Sequence, residues 1–182
     1  MEVYWKKAVP FEEYHDIIQK KTEYSDKDLV SKYQLSLKRV EHIINNYVPD
    51  TEQQKIFEEK KINGKILIIA EGWCGDCSQS VPVINTFFKK NSVKILQRDE
   101  NLDLIRKFLT NGNESVPIVI FLNDENNVIT HWGPRPKFGK DLLAKHKKDP
   151  ENYPKEAFLS DLHNYYNNNN GVDIIDEILS LL

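Results

Sequence analysis

Cysteine is nearly absent from this chain: Cys74 and Cys77 are the only two among 182 residues. Two thiols this close together cannot frame a secreted, disulfide-stapled fold, which spreads several bridges through the chain. Long apolar runs are missing too. The longest, Ile66 to Ala70, is far short of the roughly 20 residues a membrane-spanning helix needs, so no membrane partner is expected. The N-terminus, Met1 to Pro10, lacks the apolar core of a signal peptide. No sign of charge dominates, because 25 Lys and Arg against 28 Asp and Glu leave a net charge of -3. No block of Lys and Arg is large enough for a nucleic-acid surface. The cluster Lys145-His146-Lys147-Lys148 reads as a solvated helix end. No internal repeat is visible. These absences leave an ordinary globular protein, expected in a reducing cytoplasm. There, a Cys-x-x-Cys pair is usually catalytic or metal-binding.

The first sixty residues read as helical. Pro10 suits a first turn, continued by Phe11 to Lys21. Ser25 or Asp26 caps a longer helix to about Tyr47, with Leu29, Tyr33, Leu37, Val40, Ile43, Ile44 and Tyr47 at three- and four-residue spacing. Pro49 stops it. Asp50 or Thr51 then caps Glu52 to Lys61, and Asn63-Gly64 is a turn. From Lys65 the pattern changes. Ile66 to Ala70 is a continuous apolar run, as expected of a strand buried on both faces, and Val93 to Gln97 is a second strand. The helix between them, Cys77 to Lys90, makes a βαβ unit and so predicts parallel pairing. Leu102 to Leu109 reads as a short helix. Pro117 to Leu122 and Val128 to Trp132 form an antiparallel hairpin across Asn123 to Asn127. Helices follow over about Lys137 to Lys147 and Lys155 to Tyr166. The Asn167 to Asn170 run with Gly171 is a helix stop or loop, and Val172 to Leu182 is a last amphipathic helix. Residues 1–62 are expected to form a helical extension packed on a core domain of residues 63–182.

The cysteine pair carries the chemistry. It lies in Glu71-Gly72-Trp73-Cys74-Gly75-Asp76-Cys77, after a strand and at the first turn of a helix. A helix N-terminus bears partial positive charge and stabilises a thiolate. The thiolate, not the thiol, attacks a disulfide, and a second cysteine one turn on resolves the mixed disulfide. The competing metal reading needs four ligands. The histidines, His15, His42, His131, His146 and His163, show no ligand spacing, and only His131 is expected near the pair. No metal is therefore assigned.

The succession of strand, Trp-Cys-x-x-Cys, helix, strand, helix, Val-Pro and hairpin resembles the thioredoxin family over roughly Lys65 to Gly133. Pro82 matches the proline of the active-site helix, and Asp99 the acidic residue that closes the next strand. Val116-Pro117 resembles the pair around the family's cis-proline, and Gly133 the glycine that ends the last hairpin strand. Trp-Cys-Gly-Asp-Cys, the helical N-terminal extension and Gly133-Pro134-Arg135-Pro136 resemble a bacterial thioredoxin-like subgroup. The resemblance implies an α/β, thioredoxin-like fold: a central mixed sheet with helices on both faces, plus N-terminal and C-terminal helical extensions. Two departures stand out. Asp76 occupies a position where thioredoxin has proline, and Ile68 stands where it has a buried aspartate, the proton acceptor for the resolving cysteine. Glu71 is the nearest acid in sequence to that gap.

The resemblance implies a thiol–disulfide oxidoreductase in cell redox homeostasis, with Cys74 as nucleophile and Cys77 as resolver. It places Trp73, Gly75, Val116, Pro117 and Gly133 on the substrate surface. Asp76, Glu71 and Arg135 are candidate modulators. Asp76 is expected exposed, Arg135 at the surface of a rigid loop, and Arg98 at a solvated strand end. No organic cofactor is expected, since the dithiol holds the electrons. The partners would be a disulfide-bearing protein or small thiol and an unidentified reductase. Two alternatives remain: a non-catalytic interaction module on the same fold, favoured by Ile68, and a specialised isomerase or oxidase.

Overall fold

Four strands form one mixed sheet in the computed structural model, which describes residues 1–62 and 64–182. They are β1 (Lys65–Ala70), β2 (Ser92–Gln97), β3 (Ile118–Leu122) and β4 (Val128–Trp132), in spatial order β2-β1-β3-β4. β1 pairs with β2 in parallel and with β3 antiparallel, and β3 pairs with β4 antiparallel. The parallel βαβ unit and the antiparallel hairpin both match the sequence pattern. Successive strand side chains point to opposite faces. From Ile66 to Ala70 and from Ile118 to Leu122 every residue is buried, so both faces of the central strands are covered. Each fully buried Ile or Leu there contributes about 1.5–3 kcal/mol relative to exposure. β4 lies at the edge and keeps only Trp132 fully buried.

The helices described are α1 (Glu2–Lys7), α2 (Phe11–Tyr24), α3 (Lys27–Asn46), α4 (Thr51–Lys60), α5 (Gly75–Phe87), α6 (Leu102–Ile105), α7 (Lys137–Lys148), α8 (Lys155–Asn169) and α9 (Val172–Leu181). Asp50 caps α4 as the sequence predicts, accepting from the amides of Glu52 and Gln53. α6 stops at Ile105, shorter than expected. The asparagine run does not end α8 at Tyr166. The helix continues to Asn169, and the left-handed turn is made by Asn170 and Gly171. The expected Asn63-Gly64 turn includes Asn63, which lies outside the described residues.

Three packing contacts position the site. α3 lies against α5, and α2 against α3. A Cβ placed on Gly72 would stand 2.8 Å from the Tyr33 ring and 2.7 Å from Ile18, so α2 and α3 close directly over the loop that precedes the cysteines. At the other end, Glu177 of α9 accepts from Trp132 Nε1 at 2.8 Å and from the Lys137 amide at 2.6 Å. That carboxylate pins both ends of the Gly133-Pro134-Arg135-Pro136 segment.

Candidate functional site

β1 runs straight into the loop Glu71 to Trp73, and Cys74 is the N-cap of α5. The helix continues through Pro82, which is buried and cannot donate to the Ser78 carbonyl one turn back. Cys74 is half-buried and Cys77, one turn on, is buried; both are free thiols. The Cys74 thiol donates to the Val116 carbonyl, with Sγ and oxygen 3.5 Å apart. The Val116–Pro117 bond is cis, as the resemblance implies, and Gly133–Pro134 is a second cis bond that no sequence signal marked. Gly133 has φ +137°, and a Cβ there would collide with the Pro117 carbonyl oxygen. Only glycine lets the β4 end lie this close to the cis-proline strand. The fold thus brings together Cys74, Val116, Pro117 and Gly133 from three separate stretches.

The two thiols differ in acidity. Cys74 is pulled below the ordinary thiol range, first because the Cys77 thiol hydrogen-bonds to its sulfur, against opposition from burial and from the charge of Asp76. Burial first, and then its bond to Cys74, push Cys77 well above that range. The outer sulfur is therefore the more acidic of the two, and the inner one holds its proton more tightly.

Asp76 corrects an expectation. It is not exposed: it is 6% accessible. Its Oδ2 pairs with Arg135 Nη2 at 2.5 Å, and its Oδ1 accepts from the Tyr166 hydroxyl at 2.7 Å. Burial raises its pKa despite Arg135, Tyr166 and Arg39, which act the other way. Arg135 is likewise not a surface residue. Its side chain is 15% accessible, and its guanidinium lies over the Phe158 ring at 5.9 Å. Its Nε and Nη1 are buried without partners among the described residues. An unpaired charge is costly to bury, and Arg135 brings the compensation Asp76 needs from 59 residues away.

Glu71 is buried, and two of its groups matter. Its amide donates to Cys77 Sγ at 3.5 Å, while its carboxylate accepts from the Asp99 amide at 2.8 Å. Burial, the largest cause, raises its pKa. Ile68 is fully buried between Ile95 and Val119, so the position expected to lack an acid is filled by aliphatic packing. Trp73 is half-buried with the Arg98 guanidinium 5.1 Å from its ring centre. Arg98 is therefore no solvated strand end; it also donates to the Glu114 carbonyl.

Several neighbours of the pair were not foreseen. Tyr14 on α2 is fully buried, its ionisation strongly opposed first by burial and then by Cys77 and Cys74. His163 on α8, not His131, is the histidine at the loop: a Cβ on Gly75 would stand 3.1 Å from its ring and 3.4 Å from Arg39 Nη1. Burial and then Arg39 hold His163 down at about 4, so it is neutral at neutral pH. His131 is exposed on β4, its ring against Phe108. The periodic placement of Tyr14 and Tyr33 on their helices signals core, but nothing local signals which loop that core covers.

Comparisons with known proteins agree with this geometry. A protein of unknown function from Pseudomonas aeruginosa superposes with a TM-score of 0.56 at 15% identity, covering 95% of this chain and 96% of that one. An HIV epitope-scaffold superposes with a TM-score of 0.56 at 14% identity, covering 95% and 97%. Both show a shared fold. No curated protein matches the chain. The family model described as thioredoxin matches residues 23–148, more than half of the chain and including the cysteine loop, the cis-proline and the hairpin. On that match, the chain belongs to the thioredoxin family.

Proposed function

We propose that the protein is a thiol–disulfide oxidoreductase that reduces protein or small-molecule disulfides through Cys74 and Cys77. The observation that carries this reading is the pairing of a half-buried, acid-shifted Cys74 at a helix N-terminus with a buried, proton-holding Cys77, opposite the Val116 carbonyl. The Cys74 thiolate attacks one substrate sulfur. A Cys74–substrate disulfide forms, the substrate S–S bond breaks and one substrate thiolate leaves. Cys77 then attacks the Cys74 sulfur, its proton passing to the second departing thiolate. The substrate gains two electrons and the dithiol becomes a disulfide. Trp73, Gly75, Val116, Pro117 and Gly133 form the docking surface, where the Val116 backbone exchanges its contact with Cys74 for pairing with an extended substrate. Asp76, Arg135 and Glu71 tune the two sulfurs.

No organic cofactor enters the cycle; a reductase or small thiol returns the electrons. No described helix is long and apolar enough to cross a membrane; the cytoplasm is the place of action we assign. Reduction of insulin disulfides at the expense of dithiothreitol tests the reading. The wild type should accelerate it, and Cys74→Ser should abolish the acceleration. A wild type no faster than dithiothreitol alone would leave the fold as a non-catalytic module.

A further inference from the structure

Beside the cysteine loop lies a groove of about 490 Å³ between α3 and α8, walled by the two residues that flank the nucleophile, Trp73 and Gly75. α3 contributes Lys32 and Arg39, seven residues apart and so on one helix face. α8 contributes Leu159 and His163, four residues and so one turn apart. No acidic side chain lines the groove, and among the described residues neither Lys32 nor Arg39 has a carboxylate within ion-pair distance. The nearest acid in the loop, Asp76, is already committed to Arg135 and Tyr166. Arg39 is half-buried, and burial works against its charge. Asp76 supports that charge only from beyond ion-pair distance, and a partly desolvated guanidinium with no direct carboxylate contact is poised to take one. His163, neutral and with a buried Nδ1 that has no partner, adds polarity without charge. The volume matches small ligands, since such pockets run to about 300–1,000 Å³.

We propose that this groove selects small disulfides that carry carboxylates. The acid group pairs with Arg39 and Lys32 while the apolar stem lies along Leu159 and Trp73, which delivers a sulfur to Cys74. The inference rests on the thiol–disulfide reading above. It deepens that reading by naming a substrate class.

The test is stoichiometric exchange of the reduced protein with two chromogenic probes, the dianionic dithiobis(nitrobenzoate) and the uncharged dithiodipyridine. In each exchange a Cys74–probe disulfide forms, the probe S–S bond breaks and one coloured aryl thiolate leaves; attack of Cys77 on the Cys74 sulfur then breaks the mixed disulfide, forms the Cys74–Cys77 bond and releases the second. Arg39→Gln should slow exchange with the dianion about tenfold, the equivalent of one lost charge-assisted contact, and change exchange with the neutral probe by less than about twofold. Lys32→Gln should add to the loss, and Arg39→Lys should restore most of it. High salt should slow the dianion only. Equal slowing of both probes would mean that Arg39 acts on the sulfur or the fold, and would overturn the proposal. No slowing of either would overturn it as well. Exchange requires no turnover, so a protein inactive on insulin still passes or fails this test. If the wild type exchanges with neither probe, the groove and the Cys74 assignment fall together.

Discussion

Replacing Asp76 with asparagine probes how the buried ion pair sets the acidity of the nucleophile. The Asp76 carboxylate raises the Cys74 pKa by like-charge repulsion. A unit charge on the order of 6 Å away contributes about 2.8 kcal/mol at an effective dielectric constant of about 20. Water reaching the half-buried sulfur weakens that repulsion. Asp76→Asn should therefore lower the Cys74 pKa. A more stable thiolate favours the dithiol, so the potential should rise by up to about 30–60 mV. The wild type should accordingly sit nearer the reducing end, about -270 mV, than the oxidising end, about -120 mV. The variant also strands Arg135, two of whose nitrogens already lack partners. Breaking a buried pair from one side costs about 3–5 kcal/mol, and the partial exposure of Arg135 points to the lower end. The assays are the pH dependence of alkylation at Cys74, equilibration against glutathione, and urea unfolding. A Cys74 pKa that rises in Asp76→Asn, or a wild type that equilibrates as a strong oxidant, would refute this account.

Cys77→Ser should trap mixed disulfides with targets and Cys74→Ser should not, as read by non-reducing electrophoresis; the reverse pattern would exchange the two roles. Gly133→Ala should destabilise the fold by more than about 2 kcal/mol, because the new Cβ meets the Pro117 carbonyl in a backbone conformation that disfavours side chains; an unchanged unfolding midpoint would contradict that packing. The raised pKa of Glu71 makes the native state bind more protons than the unfolded chain between the ordinary glutamate value and the raised one. Stability from this group is thus complete below the ordinary value and lost as pH rises through the raised one. Glu71→Gln should flatten that part of the stability–pH profile, and an unaltered slope would show that another group carries it.

The cysteine loop was legible because its parts are neighbours in sequence: an apolar strand, two cysteines one turn apart and a helix-forming stretch follow one another without interruption, and periodicity alone orders them. The parallel βαβ unit and the hairpin followed from the same local patterns and from connection length. The Val116–Pro117 cis bond was legible only through the family resemblance, because nothing in the dipeptide itself imposes it. The electrostatics of the site were not legible. Asp76 sits at a helix N-terminus, a place where an acid is ordinarily solvated, and its burial depends on Arg135 and on Tyr166, 90 residues away. A carboxylate enters the interior only where cation and hydroxyl arrive together, so no local pattern announces it. Arg39 and His163 reach Gly75 from helices that look, in sequence, like simple packing layers. Sequence by itself determined the placement of the two sulfurs one turn apart and the strand–helix frame that presents them, since those depend on neighbouring residues. Only the tertiary structure decided which charges surround the sulfurs, because α3, α8 and the Gly133–Pro136 segment meet at the loop through long-range packing.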